Sequence, residues 1–239
     1  MEDDLFTIGQ AAAYLQVSLM TLRRWDESGK LIAIRKNGGT HRYYRQRDLE
    51  LMASDLVKLA HDWVQEKADF PRTYNCQNTA IFQARLTKFE TELMKRPGFE
   101  RLFSLIVAVT GEIGNNSFDH NIGKWPDEPG IFFGYDVAKG LVVLADRGLG
   151  VLETLRQVRP NLSSHSQALE VAFTEILSGR SPEKRGNGLK YVRDVVKGYP
   201  ITLFFTSGDA EVRMKNPDKA LLITRSAILT RGCFATLEF

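Results

Sequence analysis

Apolar residues recur at spacings of three and four through much of this chain, interrupted by short runs rich in β-branched and aromatic residues. The first stripe is Ile8, Ala11, Ala12 and Leu15, with Thr7 placed to cap a short helix. Val17 and Ser18 make a tight turn. Ser18 caps a second helix that turns Leu19, Leu22 and Trp25 inward, points Thr21, Arg23 and Arg24 outward, and ends at Gly29. Leu31 to Arg35 reads as a strand, Asn37-Gly38-Gly39 as a tight turn, and His41 to Tyr44 as the returning strand. Two helices joined by a short turn and followed by a hairpin are the parts of a winged helix-turn-helix.

Leu49, Met52, Leu56, Leu59 and Trp63 continue the helical spacing. This stripe reads equally as the seam of a short coiled coil, which would make a homodimer, or as a face packed on the protein's own domain. Asp69-Phe70-Pro71 stops the helix. A loop to Asn78 follows, then a helix over 80–95 carrying Phe82, Leu86, Phe89 and Leu93 on one face. That helix belongs to a second domain or serves as a connector. Residues 102–121 are strongly helical, and Gly130 to Tyr135 and Gly140 to Ala145 are strands. Leu169 to Leu177 and Lys190 to Val196 are helical, and three strands close the chain: Ile201 to Thr206, a run near Leu221 to Thr224, and Phe234 to Phe239. The expected organisation is a DNA-binding domain over 4–67, a linker over 68–79 and an α/β domain over 80–239.

A chain of 239 residues can bury a real core, and a net charge of +3 names no partner by its sum. Its distribution says more. Between Ser18 and Arg47, Arg23, Arg24, Lys30, Arg35, Lys36, Arg42, Arg45 and Arg47 face only Asp26 and Glu27. A basic helix can enter the major groove while wing residues grip phosphates, so double-stranded DNA is the expected partner. Cys76 and Cys233 are too few for a disulfide framework, and no apolar run is long enough to span a bilayer. A cytoplasmic protein without a membrane span is expected.

The run Val17-Ser18, Thr21-Leu22-Arg23-Arg24-Trp25, Gly29-Lys30-Leu31, Gly38-Gly39-Thr40-His41-Arg42-Tyr43-Tyr44 and Asp48-Leu49 resembles the DNA-binding domain of MerR-type and excisionase-like regulators. The resemblance covers nearly all of residues 5–52. It implies DNA contacts from Ser18, Thr21, Arg23 and Arg24, with His41, Arg42 and Tyr43 in the wing beside the basic Arg35 and Lys36. It carries DNA binding and no metal sensing.

The candidate chemistry starts at Glu112 to His120. On a helix Glu112, Asn116 and His120 fall four residues apart on one face, a carboxylate, a carboxamide and an imidazole suited to a hydrated divalent cation beside a phosphate chain. Asp146-Arg147-Gly148-Leu149-Gly150 follows a strand, which lets a carboxylate accept from an amino group where glycine backbone approaches closely. Gly186-Asn187-Gly188-Leu189 opens a helix, a natural phosphate cradle.

In that order the three boxes resemble the ATP-binding domain shared by gyrase-type topoisomerases, MutL-type repair proteins, sensor histidine kinases and anti-sigma-factor serine kinases. The implied fold is a Bergerat-type α/β sandwich, a mixed, mostly antiparallel sheet with helices on one face. By resemblance Asn116 coordinates Mg²⁺, Asp146 reads the adenine amino group of ATP, and Gly148 and Gly150 line the nucleotide. Residues 151–185 then form a lid, and Gly186, Gly188 and Leu189 wrap the phosphates. Glu112 matches a general base, and His120 either contacts a phosphate or orders the helix. Arg180, Lys184 and Arg185 are candidates to neutralise phosphates, or solvated lid charges. The leading function is a DNA-binding regulator switched by Mg·ATP. The alternatives are an anti-sigma-type serine/threonine kinase acting on a protein partner and, last, a DNA-remodelling ATPase.

Overall fold

The computed structural model describes residues 5–15, 17–29, 31–36, 39–46, 48–49, 56–66, 73–175, 188–216 and 220–239. They form two compact units, one ending at Asp55 and the other beginning at Leu56. In the first, β1 (Leu5–Thr7) leads into α1 (Ile8–Leu15) and α2 (Leu19–Glu27). Ser18 caps α2 by accepting the Thr21 N–H at 3.0 Å. Ala11, Ala12 and Leu22 close on Leu31, Ala33, Tyr44 and Leu49 to make a small core. The returning strand, β2 (Tyr43–Arg45), pairs antiparallel with β1, a partner strand that helical spacing does not reveal. The segment read as a strand from Leu31 to Arg35 bridges β2 at Ile34 alone.

The second unit starts with α3 (Leu56–Val64) and is built on a five-stranded sheet in the order β3-β4-β5-β7-β6. Its strands are β3 (Asn75–Cys76), β4 (Ile131–Asp136), β5 (Leu141–Asp146), β6 (Thr202–Lys215) and β7 (Leu222–Glu238). Every pairing between them is antiparallel, so the expected mixed sheet is not found among the described residues. The three expected closing strands are two long ones. The polar stretch Ser207-Gly208-Asp209 looks like a turn but passes through the sheet as a register irregularity, with Gly208 at φ +63°.

One face of the sheet carries Ile131, Phe133, Leu144, Ala235 and Leu237 against α4 (Thr79–Met94), α5 (Phe103–Asn121), α7 (His165–Thr174) and α8 (Gly188–Gly198). Gly114 lets α4 and α5 meet closely, since a Cβ there would stand 2.2 Å from the Phe82 ring. The other face carries Phe132, Val143, Ala145 and Phe234 against Ala60, Trp63 and Val64 of α3. Strands β4 and β5 are apolar in continuous runs because both their faces are covered.

Three expectations change here. Helices cover both faces of the sheet. The helix assigned to the first domain belongs to the second, and β3 lies in the presumed linker. The seam from Leu56 to Trp63 is filled from within, Trp63 being 1% exposed, which removes it as a coiled-coil seam; Met52 lies outside the described residues. The described part of the supposed lid also differs. It contains α6 (Gly150–Arg156) and α7, packed around Leu152, Leu162, Ala168 and Val171. No helix among the described residues is long and apolar enough to cross a membrane.

Truncating Trp63 to alanine leaves a cavity against Phe132 and Phe234 and should cost about 4 kcal/mol of stability in urea titration. The loss should be independent of protein concentration; a concentration-dependent midpoint would return this helix to a dimer seam.

Candidate functional site

In the first unit α2 exposes Arg23 and Arg24 on its outer side, and Leu22 anchors the inner side. Ser18 Oγ and Thr21 Oγ1 stand 2.9 Å apart, so the two hydroxyls form the cap of the helix as well as its leading edge. The hairpin arginines are engaged within the domain. Arg35 and Arg42 each donate to Asp26 Oδ2 at 2.7 Å, and the Ala33 N–H donates to Asp26 Oδ1 at 2.9 Å. Burial alone would raise the Asp26 carboxyl, but the Ala33 N–H and the two guanidiniums hold it below its ordinary value. The same hydrogen bond raises Arg42. Arg35 and Arg42 therefore fix the hairpin to α2, and a phosphate would have to share them. Lys36 lies over the Tyr43 ring at 5.0 Å, and His41 is exposed. Charge counting finds these cations and Asp26 alike, but not that Asp26 holds two of them.

In the second unit a cleft opens between α5, α6 and the sheet. Ile113, Val151, Leu155, Leu189 and Phe205 give it apolar walls, and Asn116, His120, Asp146 and Gly150 also border it. Asp146 is 1% exposed. Its Oδ2 accepts Ser117 Oγ at 2.7 Å and its Oδ1 accepts the Gly148 N–H at 2.8 Å. Asp146, Cys233 and Ser207 occupy one cross-strand row over β5, β7 and β6, and Cys233 adds backbone and thiol hydrogen bonds to the carboxylate. Burial nevertheless pushes the Asp146 carboxyl up to about 6. Burial and the Asp146 charge push the Cys233 thiol well above its ordinary value, so it is a donor and no nucleophile.

The neighbouring loop is held as tightly. Asn121 Nδ2 donates to the Ser117 carbonyl at 2.8 Å, while its Oδ1 accepts the Leu149 N–H at 2.8 Å. Gly148 has no room for a side chain because Asn121 fills that space, with a Cβ falling 2.1 Å from Nδ2. Its small size thus serves the loop's grip on α5. Gly150, at φ +76°, starts α6 beside Ser207, whose Oγ accepts the Val151 N–H and donates to the Gly232 carbonyl, each at 2.9 Å.

Gly188 begins α8 against the opening triplet. A Cβ there would lie 2.7 Å from Glu112 Oε2 and 3.0 Å from Asn116 Nδ2. Glu112, Asn116, Gly188 and Leu189 are thus brought together, with His120 farther along the cleft. Arg180, Lys184, Arg185 and Gly186 lie outside the described residues. Among the described residues no three His, Cys, Asp or Glu side chains converge to hold a metal ion. Ser117, Asn121, Ser207 and Cys233 were not singled out in the sequence. Ser117 and Asn121 repeat the four-residue spacing one position along from Asn116 and His120, whereas Cys233 meets Asp146, and Ser207 meets Cys233, only through sheet register.

The first unit is a helix-turn-helix with a short wing, the architecture of a DNA-binding head. Residues 6–54 match the family described as MerR HTH family regulatory protein, so this N-terminal domain is of the MerR type, which points to DNA binding and transcription regulation. The chain is also similar to the Type II methyltransferase M.Eco47II of Escherichia coli, 33% identical over 61 residues. That match takes in 26% of this chain and 15% of the methyltransferase's length.

Replacing Asp26 with alanine should loosen the hairpin by about 2 kcal/mol, read as roughly thirtyfold faster exchange of the Ala33 amide. Asp146 gives a pH signature of the opposite kind to an ordinary paired carboxylate. Its folded pKa, about 6, lies above the ordinary 3.8, so its contribution is full at low pH and is lost as pH rises through 6. The stability of Asp146→Asn relative to wild type should therefore rise by roughly 2 kcal/mol between pH 4 and pH 7 in paired urea titrations.

Proposed function

We propose that this chain is a DNA-binding transcriptional regulator whose second unit binds Mg·ATP in the cleft beside Asp146, and that nucleotide occupancy alters DNA binding. The observation that carries the reading is a buried carboxylate at the floor of an apolar cleft, with Glu112 and Asn116 meeting the first turn of α8 at its rim.

The residues present fit the nucleotide. An ionised carboxylate has about four acceptor sites. Ser117, Gly148 and Cys233 supply its donors, and the Cys233 thiol is the weakest, the one a ligand amino group would displace. Ile113, Val151 and Phe205 offer apolar surface to a base. Gly188 presents backbone N–H groups at a helix N-terminus, favourable to phosphate oxygens. Asn116 Oδ1 would hold Mg²⁺ together with phosphate oxygens, and the bound ion supplies charge neutralisation there. Glu112, beside Gly188, would accept a proton from water or a hydroxyl brought to the phosphates. DNA would be met by α2 through Arg23 and Arg24, with Lys36, His41 and Tyr43 at the wing. A homodimer reading two half-sites would need a surface other than the filled Trp63 seam.

Calorimetric titration should show Mg·ATP binding to the wild type and at least about tenfold weaker binding to Asp146→Asn, the loss of one charge-assisted hydrogen bond. Equal binding would remove the nucleotide assignment. Duplexes selected from a random pool should bind with different affinity when Mg·ATP is added, because only unequal binding to two states couples the sites; identical affinities would sink the switch.

A further inference from the structure

Asp146 and Arg147 are adjacent but serve opposite faces of the sheet. Asp146 turns to Ser117 of α5 and the cleft, whereas the Arg147 guanidinium lies 5.8 Å from the Trp63 ring of α3. Arg147 Nη2 also meets Glu66 Oε1 at 2.9 Å and Asp127 Oδ2. A second cation joins the same acids: Arg231 Nη1 lies 2.6 Å from Glu66 Oε1 and 3.2 Å from Asp127 Oδ2. Arg231 precedes Gly232, whose φ of +72° brings it so close to Asp146 that a Cβ would fall 2.2 Å from the Asp146 carbonyl oxygen. Both arginines are therefore mounted on backbone that builds the floor of the cleft.

The acid they share is placed with equal care. Glu66 sits just past the end of α3 at φ +58°, a left-handed conformation uncommon for a side chain of this size. Such backbone persists where surrounding contacts hold it. Helix α3 is the first element of the second unit, so the chain leaving the DNA-binding unit enters it directly. Arg147 Nε is buried without a hydrogen-bond partner among the described residues, so the guanidinium is held through its Nη2 atom and has a donor to spare.

We propose that Arg147 is a positioning residue that joins the ligand loop to α3: occupancy of the Asp146 cleft shifts the 146–150 loop, and the Arg147–Glu66 ion pair carries that shift to the helix that follows the DNA-binding unit. This rests on the nucleotide reading above and names its route. The joint belongs to α3 and not to the helix over 79–94, whose apolar side is buried in the main core.

The test is deuterium exchange of the full-length protein with and without saturating Mg·ATP, beside calorimetry on the same samples. In the wild type, exchange over residues 56–66 should change by about fivefold or more on adding Mg·ATP. Glu66→Gln is nearly isosteric and remote from the cleft. It should bind Mg·ATP within about threefold of wild type while residues 56–66 cease to respond. Arg147→Ala should behave alike, and Arg147→Lys should recover part of the response by keeping the charge. A wild type whose 146–150 segment responds while 56–66 does not would overturn the joint and leave nucleotide binding intact, as would a Glu66→Gln protein responding like wild type. No heat of Mg·ATP binding to the wild type would instead remove the nucleotide reading and the joint with it.

Discussion

A carboxylate taken out of water must be met by donors from every element that reaches it, and Asp146 imposes that requirement on the second unit. Ser117 answers from α5, Gly148 from the loop, and Cys233 from the neighbouring strand. Each donor has its own support. Asn121 ties the turn carrying Ser117 to Leu149, and Ser207 bridges Val151 to Gly232. Elements far apart in sequence are thereby fixed around one group. Even so the carboxyl is raised to about 6, so the donors offset only part of the cost of burial. A structural role alone would be met more cheaply by an amide or an apolar residue. Retaining a charge at the floor of a cleft is an arrangement suited to binding.

The first unit shows the contrasting case. Asp26 is buried as well, its side chain 5% exposed, yet its carboxyl lies below the ordinary value because a backbone N–H and two guanidiniums face it. Here the ion cluster locks a hairpin to a helix in a domain with a very small apolar core. Arg35 and Arg42 are drawn into that lock, leaving Arg23 and Arg24 as the exposed arginines of α2. The basic excess between Ser18 and Arg47 thus splits into cations that hold the domain and cations that face outward.

How far the sequence was legible follows the range of the interactions. The Ser18 cap, α2, and the spacing of Glu112, Asn116 and His120 depend on residues three or four apart, and all are readable from the chain. Even the meeting of Gly188 with Glu112 and Asn116 was approachable, since glycine beside a helix start is a local signal. The places of Cys233 and Ser207 were not, because they depend on a three-strand register with a bulge at Gly208. The stripe at Leu56, Leu59 and Trp63 announced a buried face without naming what buries it. Its partner, the outer row of Phe132, Ala145 and Phe234, was hidden in apolar runs that show no alternation. Gly148 is hidden for a related reason: a glycine reports close approach, but only structure shows that Asn121 is the group packed against it.

Covering both faces of the sheet limits how an event on one face can be felt on the other. The central strands are hydrogen-bonded on both sides and packed above and below, so they do not flex independently. The strand end is different, because after Asp146 the chain leaves the ladder and consecutive side chains reach opposite layers within one residue. The Glu66 side chain is 54% exposed but that of Arg147 only 14%, so the pair lies between an exposed ion pair of at most about 1 kcal/mol and a buried one. The cluster at Arg147 and Arg231 is therefore too weak to decide folding, but its size matches the 1 to 3 kcal/mol typical of coupling between sites. Contacts of that strength can be made and broken within the folded state, which the Trp63 packing cannot. If the two faces communicate, the strand end is where the energy scale permits it.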